Sequence, residues 1–235
     1  LVNTGLHNLL AWGVVAGALT PIAAAQPPMA DIGLLPGDSG LVTATNSQTD
    51  LFVCPGGSGF LALWSDARAR SSGSQTIQSD FDVFGIRLDA SGHPVGTPFL
   101  VAGGMGYQRR PKAAWNGENW LVMFESQDPT QPPVEYWETQ IRFTRVSQLG
   151  VVLDAVPMSL PPVQFEPGTI GLTISGTGGT WLIARCVYHS DGYGTFLAGQ
   201  RIASSGELLD AAPVMLMDWT YGQLDVMAVG GEYLV

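Results

Sequence analysis

Basic residues are scarce in this chain. Lys and Arg number 10 against 20 Asp and Glu over 235 residues, a net charge of −10. They never gather into a run, so a phosphate backbone would be repelled, and nucleic acid is excluded as a partner. Charged residues of both signs make up 13% of the chain, about half of the ~25% usual in soluble domains. Cysteine is nearly absent: Cys54 and Cys186 are too few for a disulfide framework. They form no C-x-x-C pair, so zinc and dithiol redox chemistry have no support, and two small buried thiols are expected. Three histidines, His7, His93 and His189, are too scattered for a metal centre. No metal site and no cofactor are expected.

Long apolar runs are also missing, with one exception. Leu9 to Ala25 is apolar, ends in small residues and is followed by Gln26-Pro27-Pro28. The unbroken part, Leu9 to Leu19, is shorter than the ~20 residues a membrane span needs. Residues 1–25 therefore read as a signal peptide without its charged start, since no Lys or Arg precedes the apolar stretch. Residues 26–38 read as a linker. A secreted or cell-surface bacterial protein is expected, with no stable membrane span after cleavage.

What the chain has is glycine and proline, 30 and 16 of them, and a repeat. Four times a glycine is followed by two residues, an aromatic and an apolar run, starting at Gly57, Gly117, Gly178 and Gly230. The aromatics Phe60, Trp120, Trp181 and Tyr233 lie 60, 61 and 52 residues apart. A second motif keeps the same phase: Arg87-Leu88-Asp89-Ala90-Ser91-Gly92, Arg145 to Gly150 and Arg201 to Gly206, its glycines 58 and 56 apart. Past that glycine come Val95-Gly96, Leu153-Asp154 and Leu209-Asp210. Two anchors agreeing in phase establish a repeat architecture.

Each unit divides into four short runs of β-formers separated by turn residues. Strand A precedes the first glycine and strand B follows the aromatic. Strand C ends near the recurring arginine, and strand D follows the second glycine. The Gly-x-x-aromatic step supplies a hairpin turn. No amphipathic helix is found after residue 25. Four antiparallel strands at this period predict an all-β fold, a β-propeller in an incomplete ring of about three blades plus part of a fourth. The partial propeller spans 39–235, with an isolated outer strand near 40–44 and repeats from about 49, 109, 168 and 222. Strand B, apolar throughout, is expected to be covered on both faces. Arg87, Arg145 and Arg201 are expected to tie strand C to carbonyls or carboxylates.

The stretch Phe60-Leu61-Ala62-Leu63-Trp64-Ser65-Asp66-Ala67-Arg68, with Asp82 to Gly92 after it, resembles tandem propeller-like repeats of large secreted bacterial proteins. The likeness covers roughly residues 40–235 and weakens in the third copy, where Arg185 replaces the terminal Trp. It implies export and a propeller. Most members of that family have no assigned activity.

Chemistry is harder to find. There is no Gly-x-Ser-x-Gly elbow, no sialidase-type Ser-x-Asp-x-Gly-x-x-Trp box, and no calcium spacing beyond the fragment Asp80-Phe81-Asp82. The B–C loops and the connections from D to the next A share one end of the blades. Their candidate ligand-facing residues are Asp66, Arg68, Tyr107, Arg109, Glu125, Asp128, His189, Asp191, Trp219 and Tyr221. Exposed loop tips carry such residues without any ligand. The reading is a non-catalytic extracellular module binding an unknown protein or glycan. The alternative is a propeller-type polysaccharide hydrolase or lyase.

Overall fold

The computed structural model describes residues 47–67, 81–104, 106–127, 140–161, 169–188, 194–220 and 225–234. All of these fall within the unit Ala44–Val235. The signal segment, the linker and the outer strand near 40–44 lie outside the described residues.

Among the described residues there is no helix. Strands β1 (Gln48–Gly56), β2 (Gly59–Asp66), β3 (Asp82–Asp89) and β4 (Pro94–Ala102) form one antiparallel sheet in sequence order. The second sheet is β5 (Tyr107–Trp115), β6 (Asn119–Gln127), β7 (Gln140–Ser147) and β8 (Met158–Ser159). The third is β9 (Thr169–Thr177), β10 (Thr180–Tyr188), β11 (Thr195–Ala203) and β12 (Val214–Thr220). The hairpin β13 (Met227–Val229) and β14 (Glu232–Leu234) begins a fourth. These are the blades of a β-propeller: three of four antiparallel strands, then two strands of another.

The turns explain the repeated glycines. In the third blade Thr177 pairs with Thr180 across Gly178-Gly179, at φ +56° and +80°. The fourth blade repeats this with Gly230-Gly231, at +60° and +91°. Left-handed residues at both turn positions match the twist of the strands they join. The second blade uses a longer turn, in which the Asn116 carboxamide oxygen accepts from the Glu118 and Asn119 amides at 2.9 Å.

The repeated aromatic joins blades to one another. Trp120 lies in a cluster with Cys54, Leu61 and Leu63 of the blade before it. Trp181 lies with Ala114, Leu121 and Met123 of its predecessor, and its indole Nε1 donates to the buried Ala114 carbonyl at 2.9 Å. Tyr233 packs on Leu182, Ala184 and Cys186, with its hydroxyl 3.0 Å from Thr180 Oγ1. Phe60 has no described blade before it and is only half-buried. Strand B is covered on both faces in the second and third blades, as predicted: Trp120 through Phe124 are all buried, as are Trp181 through Val187. Both cysteines are buried free thiols. Burial pushes the Cys54 thiol up to about 12.

The recurring arginines behave as predicted in two blades of three. Arg145 grips Asp154 through Nη2 at 2.6 Å and Nε at 3.1 Å, while its own amide donates to the same carboxylate at 2.7 Å. Arg201 and Asp210 repeat this at 2.6, 3.1 and 2.8 Å. That carboxylate takes the amide which strand D would otherwise pair, so strand D starts late in both blades. In the first blade Gly96 stands at the aspartate position, Arg87 pairs with Val95 in the ladder, and β4 runs unbroken. The Arg87 guanidinium meets no carboxylate among the described residues. Strand D of the second blade is shorter than predicted, two residues only. Pro157 on one side and Pro161-Pro162 on the other lack the amide that ladder pairing needs.

In the second and third blades the glycine of the C–D turn sits against the preceding blade's arginine. Gly206, at φ +93°, leaves room for Arg145, whose Nε would stand 3.2 Å from a Cβ, and for Met158 Cε, 2.8 Å away. Gly150, at φ +80°, lies against Arg87 in the same way. Arg145 also donates to the Ser204 carbonyl in that turn at 2.8 Å.

Candidate functional site

Four of the ten candidate residues are described with their side chains, and all four lie at the end of the blades opposite the A–B turns. Asp66 ends β2, Tyr107 and Arg109 open β5, and Glu125 lies near the end of β6. Two were misplaced by the sequence reading. Asp66 is not on an exposed tip: it is fully buried within β2 and accepts from Trp64 Nε1 at 2.8 Å. Tyr107 is likewise a buried strand residue, because β5 begins at Tyr107 itself. Trp219 is a residue of β12. Arg68, Asp128, His189, Asp191 and Tyr221 lie outside the described residues.

Arg109 and Glu125 are cross-strand partners, so the register alone brings their side chains together. Arg109 Nε is 3.3 Å from Glu125 Oε2, and the Arg109 guanidinium lies 4.4 Å from the centre of the Tyr107 ring. That is cation–π geometry. The neighbouring Arg110 donates from Nη1 to Glu125 Oε1 at 3.1 Å. One carboxylate therefore serves two guanidinium groups. The nearby Glu125 charge is the main cause that raises Arg110 above the usual guanidinium range, with Asp50 adding to it.

The backbone here is unusual. Asp50 and Arg110 have φ of +56° and +52°, the left-handed region, with no glycine at either position. Both sit at a bulge in strand A, where the register slips between Thr49 and Phe52 in β1 and between Arg109 and Lys112 in β5. A third slip occurs in β9, opposite Cys186 and Val187. Bulges re-aim side chains and are common beside functional sites.

A single buried hydroxyl ties the two left-handed residues together. Ser65, fully buried, donates from Oγ to Asp50 Oδ2 at 2.8 Å and accepts from the Arg110 amide at 3.0 Å. A line of polar groups thus runs across the junction of the first two blades, from Asp50 through Ser65 and Arg110 to Glu125 and Arg109. Among the described residues no group of three or more His, Cys, Asp or Glu is placed to hold a metal ion.

No family model matches the chain, and no curated protein matches it. Among solved structures it is similar to an alpha-L-arabinofuranosidase from Lactobacillus brevis, at 8% identity and a TM-score of 0.39. The match covers 67% of this chain and 50% of that one, so the chain spans about half the length of the structure it matches.

Proposed function

We propose that this chain is a propeller module which binds an extracellular protein or glycan at the junction of its first two blades. On this reading it belongs with the tandem propeller-like repeats of large secreted bacterial proteins and acts at or outside the cell surface. The observation that carries the reading is the double engagement of Glu125 by Arg109 and Arg110. A carboxylate already engaged by two guanidinium groups, one of them stacked on a tyrosine ring, forms a rigid polar surface suited to recognition.

The test is capture against turnover. The full chain and Glu125→Gln would be applied to glycan and protein arrays and, in parallel, to polysaccharides assayed for new reducing ends. Binding by the full chain that weakens at least tenfold in the variant, without product release, supports the proposal. Release of reducing ends that is lost with Glu125 would instead establish a hydrolase.

A further inference from the structure

We infer that Asp50 and Arg110 are the ligand-contacting pair of this site, and that its ligand is a neutral glycan gripped by adjacent hydroxyl groups. The inference rests on the binding reading above and gives that site a ligand class.

The first argument is conformational. A strand bulge that needs only a left-handed residue is filled at least cost by glycine, and this chain uses glycine at positive φ in its turns throughout. At two equivalent bulges, 60 residues apart, it keeps a charged side chain instead. Strain of this kind persists where surrounding contacts impose it, and it clusters at ligand clamps. Here the imposing contact is Ser65, shared by both residues and sealed from water. The retained feature is the pair of side chains.

The second argument is the chemistry left unused. Asp50 binds Ser65 and Thr49 through Oδ2, which leaves Oδ1 without a partner among the described residues. Arg110 spends Nη1 on Glu125 and keeps Nε and Nη2, with its side chain 59% exposed. One acceptor and a fork of donors therefore stand at the junction of neighbouring blades. A hydroxyl both donates and accepts, so two adjacent hydroxyls satisfy the acceptor and the donors at once.

Charge then selects the class. Within the cluster Asp50 and Glu125 balance Arg109 and Arg110, so its own charged groups present no net charge to a ligand. Protein hot spots favour exposed aromatic anchors, whereas the aromatic in this cluster, Tyr107, is buried beneath Arg109.

The experiment applies the full chain, Asp50→Gly and Arg110→Gly to arrays of neutral glucans, mannans, xylans and arabinans beside uronate-bearing and sulfated oligosaccharides. Melting curves are taken for each protein. The expected result is binding to at least one neutral class, changing less than twofold between 50 and 500 mM salt and falling at least tenfold in each variant. Melting temperatures should stay within a few degrees of the parent, because glycine relieves the strained φ. Should either variant fold poorly, Asp50→Asn and Arg110→Lys replace them, and the same tenfold loss is required of each. Retained binding in folded variants overturns the inference, as does binding confined to uronate or sulfated glycans with steep salt dependence. If Glu125→Gln abolishes binding that the Asp50 and Arg110 variants retain, the binding module stands and this pair falls. If only proteins are captured, the glycan assignment falls alone.

Discussion

If the recurring aromatic holds blade to blade, its removal should cost stability in proportion to what lies behind it. Trp181 is fully buried against the second blade and hydrogen-bonded to Ala114. A large aromatic buries about 150–250 Å², worth about 4–6 kcal/mol at ~25 cal/mol per Å². Buried Trp→Ala changes cost about 3–5 kcal/mol, a large share of the ~5–15 kcal/mol available to a domain. Trp181→Phe keeps most of the ring but strands the hydrogen bond, at about 1–3 kcal/mol. Phe60 has the same sequence context but no described blade behind it, so Phe60→Ala should cost about 1–2 kcal/mol, nearer to half the burial. Urea denaturation separates these values. With a slope of ~2 kcal/mol/M, Trp181→Ala moves the midpoint down by about 2 M, while Phe60→Ala moves it by less than about 1 M. Equal shifts for Phe60→Ala and Trp181→Ala would refute the interblade role. So would a Trp181→Phe protein as stable as the parent.

The C–D turn glycines give a matched pair. Gly206→Ala meets a positive φ together with Arg145 and Met158 of the neighbouring blade, whereas Gly92→Ala meets the φ alone, with nothing within 4 Å. Gly92→Ala should cost about 1–2 kcal/mol and Gly206→Ala about 1–3 kcal/mol more from overpacking; equal losses by thermal melting would show that the seat on Arg145 has no energetic role. The acid limb of stability reports the third blade's ion pair. Arg201 holds Asp210 below the ordinary carboxylate range, chiefly by direct hydrogen bonding. The lowered value means that its stabilisation is full above the unfolded carboxylate pKa near 4 and is lost as pH falls through the folded value. Asp210→Asn should therefore narrow the gap to the parent as pH drops from about 5 toward 2, and a gap that stays constant over that range would exclude the pair as its source.

Much of the scaffold was legible because propeller blades repeat both their turns and their core. Gly178-Gly179 and Gly230-Gly231 had to be left-handed to close the A–B hairpins. Trp120 and Trp181 had to be large because each fills the gap between two sheets. Strand D was less legible. Its length depends on whether Asp154 or Asp210 folds back onto the arginine amide, or whether Gly96 stands in that place and leaves Arg87 paired with Val95. A carboxylate replacing a ladder bond gives no apolar alternation to read. The placement of Asp66 failed for a related reason: an acid after Trp64-Ser65 looks like the start of a polar loop, yet the Trp64 indole satisfies it inside the strand.

The site itself was half visible. Arg109 and Glu125 stood out as charged residues near a strand end, and the register between β5 and β6 makes them partners. The link between Asp50 and Arg110 carried no signal, because what they share is a backbone angle and a place in the fold. Their side chains are opposite in charge, so no residue-type periodicity links them. A repeat that conserves conformation while varying the side chain separates two demands on one position. The bulge belongs to the blade, whose twist it sets, and the side chain is free to differ from blade to blade. That freedom is what lets a regular wheel of sheets present an irregular polar surface at one end. It also explains why the scaffold is written as a period and the polar cluster between the first two blades as departures from it.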